Sequence, residues 1–105
     1  MSYLAEDEVP PEVARCIVAV AKEAVTNAVR HAHAQKIEVK FIEYPGLWQL
    51  RVTNDGTMPG SSFSESDRGM GLRSMRERVE LVGGKLSYSA GTEFAVRATI
   101  PRGER

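Results

Sequence analysis

The chain has 105 residues, with 14 Lys plus Arg against 14 Asp plus Glu, one cysteine and 42% hydrophobic residues. That length supports one two-layer domain around one core, so a single domain over 1–105 is expected. The balanced charge argues against a nucleic-acid binder, and lone Cys16 excludes an internal disulfide or a cysteine metal site, in keeping with a reducing cytoplasm. No apolar run approaches the ~18 residues of a membrane span, and the first residues lack the basic start of a signal peptide.

In chain order, Glu6-Asp7-Glu8-Val9-Pro10-Pro11 reads as a lead-in to a helix, since proline is tolerated in a first helical turn. From about 12 to 34 there is no Gly or Pro and alanine is frequent, which predicts one long helix. Val13, Ile17, Val20, Ala21, Ala24 and Ala28 project onto one broad face. Glu23, Asn27 and Arg30 lie beside that stripe, with His31 at its boundary. Residues 37–44 then alternate with period two, Ile37, Val39 and Phe41 pointing one way and Glu38, Lys40 and Ile42 the other. Pro45-Gly46 turns the chain into a second alternating strand over 47–53, giving a hairpin.

The pattern then stops. Residues 54–67 are small, polar and turn-rich, which predicts a mobile loop with a lid over about 57–69. A second helix is expected over about 71–83, with Leu72, Met75, Val79 and Val82 at helical spacing and Gly83-Gly84 as the stop. Strands over about 85–89 and 94–100 close the domain around a turn at Ala90-Gly91. Helix, two strands, loop, helix, two strands is an α+β order, suited to a mixed or antiparallel sheet with helices on one face.

Three segments carry chemistry. Glu23 and Asn27, four apart, stack on one helical face, with Arg30 and His31 a turn further on. Oxygen donors of this kind suit Mg²⁺, which takes few protein ligands and keeps waters and substrate phosphates. The same residues could equally form a solvated helix face. Asn54-Asp55-Gly56 is a common turn signal after a strand, yet the loop that follows exceeds the needs of a hairpin, and long loops often cover sites. Gly69-Met70-Gly71-Leu72 opens a helix, where free N–H groups and the helix dipole favour an anion. No Gly-Lys-Ser/Thr follows, so it is not a Walker loop.

In this order the three segments resemble the nucleotide site of the gyrase, Hsp90, histidine kinase and MutL superfamily. The likeness is greatest to the nitrate-sensing and membrane-fluidity-sensing histidine kinases. It is carried by Glu23-Ala24-Val25-Thr26-Asn27-Ala28-Val29-Arg30-His31 as the N box and Asn54-Asp55-Gly56-Thr57 as the first glycine box. Gly69-Met70-Gly71-Leu72-Arg73-Ser74-Met75-Arg76-Glu77-Arg78-Val79 stands as the second, followed by Gly84-Lys85-Leu86 and Gly91-Thr92. The likeness covers roughly residues 9–101.

The resemblance implies the Bergerat ATP-binding fold, a two-layer α/β sandwich, with ATP and Mg²⁺ as ligands. Asn27 falls where the family holds Mg²⁺, and Glu23 matches the acidic position one turn earlier, so these two are the implied catalytic and metal-linked residues. Arg30 and His31 match positions that approach the phosphates. Arg68, Gly69, Met70, Gly71 and Leu72 would close over the phosphates, Asn54, Asp55 and Gly56 would meet the base, and Thr92 would help to hold adenine. One departure stands out: the family's adenine carboxylate falls on Asn54. Losing one charge-assisted hydrogen bond costs on the order of 1–2 kcal/mol, or roughly ten-fold in affinity. A register with Asp55 at the adenine remains open.

The function implied is donation of the ATP γ-phosphate to a histidine on a separate dimerisation domain, in a parent that also addresses a response regulator. That acceptor is expected on a helix before Met1, because His31 and His33 end the nucleotide-facing helix. Two alternatives stay in view: a serine kinase of the anti-sigma-factor type, and a degenerate nucleotide fold kept for protein interaction.

Overall fold

The computed structural model describes residues 2–3, 9–31, 34–55, 71–90 and 92–102. In chain order the elements are β1 (Ser2–Tyr3), α1 (Pro11–His31), β2 (Ile37–Tyr44), β3 (Leu47–Asn54), α2 (Leu72–Leu81), β4 (Lys85–Ala90) and β5 (Phe94–Pro101). The strands form one sheet in the order β1-β2-β3-β5-β4. Pairing is antiparallel throughout except for β1, which lies parallel to β2 with Ser2 opposite Lys40. The fold is α+β with a mixed sheet.

Helix α1 begins where Pro11 provides a preset φ, and the Ala14 N–H donates to the Pro10 carbonyl at 2.9 Å. Val13, Cys16, Ile17, Val20, Ala21, Ala24 and Ala28 are buried at three- and four-residue spacing. This apolar stripe holds the helix against the sheet. Ala34 lies outside the helix, so α1 is shorter than the run of good helix formers suggests. Propensity gives no stop signal in His31-Ala32-His33-Ala34.

Helix α2 ends in a Schellman motif. Gly83, at φ 84°, donates its N–H to Glu80 O at 3.0 Å, while Gly84 N–H reaches Val79 O at 2.9 Å. The left-handed φ is what glycine supplies without strain. Leu72, Met75 and Val79 are the buried face of α2.

Strand alternation sorts the sheet into two faces. Trp48, Leu50, Val52 and Asn54 of β3 are buried, as are Phe94, Val96, Ala98 and Ile100 of β5. Together with Phe41 the apolar ones meet both helices in one core. The other face carries Lys40, Arg51, Arg97 and Thr99 and has no helix over it among the described residues. The core therefore fixes both helices over one side of the sheet.

Candidate functional site

Two polar side chains, Asn27 and Asn54, are buried to the same degree as the core around them, each 3% exposed. Burying a carboxamide costs roughly 1–3 kcal/mol unless hydrogen bonds replace its water, so such residues usually have a task. Asn27 continues the buried stripe of α1 rather than flanking it with Arg30, which is exposed. Asn54 belongs to β3, one residue beyond the expected strand end. Alternation therefore turns its side chain toward the helices, as with Val52 two residues earlier. The two residues share one end of the domain. Asn54 pairs with Ile37, the first residue of β2, into which the end of α1 leads.

At this end α2 also approaches α1. Gly71 is the N-cap of α2 at φ 74°, with no side-chain cap, and a Cβ built on it would lie 2.8 Å from Glu23 Cδ. The Glu23 carboxylate thus sits against the N-terminus of α2, where unpaired N–H groups and the helix dipole favour negative charge. Leu72, the next residue, is fully buried and anchors that terminus. Glu23 itself is half-buried.

Asp55 has a separate part. Its Oδ1 accepts the N–H of Gln35 and of Lys36, both at 2.9 Å, and its own N–H donates to Lys36 O at 3.2 Å. These backbone donors, Lys36 first, hold the carboxyl below its ordinary range. Asp55 ties the end of β3 to the entry of β2. Asn54 Nδ2 donates to the Asp55 carbonyl, which leaves Oδ1, a pure acceptor, as the other half of the amide. A cleft of about 290 Å³ opens here, with Lys36, Asn54, Asp55 and Glu93 in its wall.

Thr92 is exposed in the bend before β5, two residues ahead of Phe94, which pairs with Asn54. It therefore stands at the same sheet end. His31 closes α1, and Gly56, Arg68, Gly69 and Met70, with the lid over 57–69, lie outside the described residues. The structure thus gathers Glu23, Asn27, Gly71, Leu72, Asn54 and Thr92 around one end, leaves Arg30 on the exposed side of α1, and employs Asp55 in the backbone. Sequence reasoning missed Gln35 and Lys36 as partners of Asp55, since a contact across about twenty residues leaves no periodic trace.

A larger cleft, about 600 Å³, runs along α1 from Ala14 to Thr26 with Arg78 of α2 in its wall, and shares only Glu23 with this end. Among the described residues no group of three or more His, Cys, Asp or Glu could hold a metal ion. Two oxygen-bearing side chains one turn apart still fit Mg²⁺, whose remaining ligands are ordinarily waters and phosphate oxygens.

Residues 12–104 match the family of histidine kinase-, DNA gyrase B- and HSP90-like ATPases, and the chain belongs to that family. Sensor histidine kinase YxjM of Bacillus subtilis is 36% identical over 87 residues, covering 83% of this chain and 20% of its own length. DesK of the same organism is 36% identical over 87 residues, with 80% and 22% covered. The nitrate/nitrite sensor protein NarQ of Escherichia coli is 35% identical over 93 residues, with 84% and 16% covered. The chain thus spans about a fifth of the length of these relatives.

Among solved structures, the blue-light activated histidine kinase EL346 of Erythrobacter litoralis superposes with a TM-score of 0.76 at 27% identity, covering 89% of this chain and 31% of that one. The Acinetobacter baumannii histidine kinase AdeS shares the fold with a TM-score of 0.73 at 22% identity, covering 86% of this chain and 47% of that one. No described helix is long and apolar enough to cross a membrane.

Proposed function

We propose that this chain is the ATP-binding, phosphate-donating domain of a sensor histidine kinase that works in the cytoplasm. The observation that carries the reading is the pair of buried carboxamides, Asn27 on α1 and Asn54 on β3, at the end where α2 begins. A domain built only to fold gains little from two buried amides in an otherwise apolar layer.

In this reading Asn27 offers its Oδ1 to Mg²⁺, with Glu23 one turn earlier orienting a bound water or the metal itself. Mg²⁺ supplies charge neutralisation for the triphosphate. The N–H groups at the start of α2 would receive phosphate oxygens once the Glu23 carboxylate, which lies against Gly71, turns toward the metal. The base lies toward the sheet end. Asn54 Oδ1 accepts the adenine amino group there, its Nδ2 being engaged by Asp55 O, and Thr92 lies alongside. This arrangement favours Asn54 over Asp55 at the adenine, because the Asp55 carboxylate already serves two backbone donors. Gly56, Arg68, Gly69, Met70, Arg30 and His31 complete the proposed set on the strength of the family pattern.

Phosphoryl transfer asks a protein mainly to position the γ-phosphate and spread its charge. The acceptor is proposed to be a histidine of the parent's dimerisation domain, and the phosphoryl group then passes to a response regulator. The similarity to sensor kinases favours this over the anti-sigma-factor-type serine kinase.

The test is incubation with radiolabelled ATP and Mg²⁺, with and without a separately supplied dimerisation domain of the parent. Acid-labile label should appear on that domain and not on this chain. Stable phosphohistidine on the chain alone, or acid-stable phosphoserine on a partner, would contradict the proposal.

A further inference from the structure

The face of the sheet that no described helix covers has a charge pattern that folding alone disfavours. Lys40 of β2 lies directly opposite Arg51 of β3, and Arg51 directly opposite Arg97 of β5. Adjacent strands are about 4.8 Å apart, so three cations stand in one line across the sheet. Like charges directly opposite one another are destabilising, and in a chain whose charges sum to zero the alignment is local.

Compensation within the row is slight. Lys40 Nζ lies 3.6 Å from the Glu38 carboxylate, with both side chains largely in solvent. Among the described residues Arg51 reaches Gln49 Oε1, at 3.3 Å, and its buried Nε finds no hydrogen-bond partner. Among the described residues neither Arg51 nor Arg97 has a carboxylate partner. Lys85 adds a fourth cation one row further on, opposite Thr99.

Beside the cations the same face is mixed, Ile42 standing in a row with Gln49, Thr99 and Lys85, and it becomes apolar only in the row beyond. Ile42 follows Lys40 on that side of β2, and Tyr44, Leu47 and Pro101 form the next row toward the hairpin end. A cleft of about 210 Å³ opens there, bordered by Leu47, Lys85, Thr99 and Pro101.

We propose that this face is a docking surface for an amphipathic α-helix of a partner protein, lying across the strands with a carboxylate edge over Lys40, Arg51 and Arg97. Carboxylates at i, i+3 and i+4 positions are about 5–6 Å apart, close to the strand spacing beneath them. The adjoining apolar edge of the helix covers Ile42 and Tyr44 and places one side chain in the cleft by Leu47 and Pro101. A bilayer or a nucleic-acid duplex would call for a wider basic area than this single row. This surface lies on the side of the sheet away from Asn27 and Asn54, so the inference stands apart from the nucleotide site.

The experiment is a nuclear magnetic resonance titration of the isotope-labelled chain with a synthetic helical peptide carrying glutamates at i, i+4 and i+8 and leucines on the adjoining stripe. Amides of β2, β3 and β5 around Lys40, Arg51 and Arg97 should shift. R51Q/R97Q should weaken binding roughly ten-fold, since two partly exposed ion pairs are removed. If the half-buried Arg51 proves necessary for folding, R97E alone provides the test: it should lose the glutamate peptide and gain a lysine counterpart. Absence of shifts at millimolar peptide, shifts confined to the helices, or binding indifferent to R97E would overturn the proposal. So would phosphatidylserine vesicles or duplex DNA that engage the same amides at lower concentration than the peptide.

Discussion

Gly71 lies so close to the carboxylate of Glu23 that a methyl group on it would overlap that side chain. The two residues join the second helix to the first at the end where the buried amides lie. Gly71→Ala is expected to destabilise the chain by about 1–2 kcal/mol, mainly through left-handed strain, because the end of the flexible Glu23 side chain can swing aside. Adding Glu23→Ala should therefore recover only a small part of the loss. A double-mutant cycle by urea denaturation measures the coupling, and recovery of the whole loss would mean that the collision, not the backbone, sets the cost.

Asp55 makes stability depend on acid. Its carboxyl titrates below the ordinary value of 3.8 because the folded chain donates the Lys36 and Gln35 N–H groups to it. A group with a depressed folded value contributes in full above its unfolded value, and the contribution vanishes as pH falls through the folded one. Asp55→Ala should therefore melt earlier than the parent at neutral pH, with the gap closing below about pH 4. A gap that is constant with pH would mean that the carboxylate charge has no part in this tie.

Much of this architecture is legible in the residue order, and the parts that are not have physical causes. The apolar stripe of α1 and the alternation around Pro45-Gly46 each repeat often enough to fix an element and its buried face. Strand β1 is two residues long, too short to show a period, and its pairing with β2 depends on a partner about forty residues away. The end of α1 is unmarked because His31-Ala32-His33-Ala34 contains no breaker. Of the candidate site, the stacking of Glu23 and Asn27 follows from helical spacing, but the depth of Asn27 in the core does not. The division of labour between Asn54 and Asp55 depends on Gln35 and Lys36, whose backbone arrives only when the sheet forms.

Asn54→Asp separates folding from recognition. A carboxylate in this buried position loses the donor that engages Asp55 O and gains charge, so the unliganded chain should be less stable by roughly 1–3 kcal/mol. If the residue faces adenine, ATP with Mg²⁺ should raise the melting temperature of the variant by more than that of the parent. Thermal shift with and without nucleotide reads both effects. An equal or smaller ATP response in the variant would remove Asn54 from the base contact.

At the far end of the sheet Arg102 forms an ion pair with Glu43 at 2.7 Å and lies 5.5 Å from the centre of the Trp48 ring. Both partners are mostly buried, so Arg102→Ala should cost about 1 kcal/mol, with Arg102→Lys intermediate. Trp48 is the single tryptophan, and its fluorescence follows unfolding directly. An unchanged denaturation midpoint in Arg102→Ala would show that this contact does not anchor the C-terminal segment.

Isothermal titration of the chain with ATP, in Mg²⁺ and in a chelator, tests the nucleotide reading most directly. Saturable binding that strengthens with Mg²⁺ is predicted, and Asn27→Ala should lose that Mg²⁺ dependence while keeping a folded circular dichroism spectrum. No binding at millimolar ATP, or a Mg²⁺ response indifferent to Asn27→Ala, would contradict the account and favour a nucleotide fold retained for protein interaction.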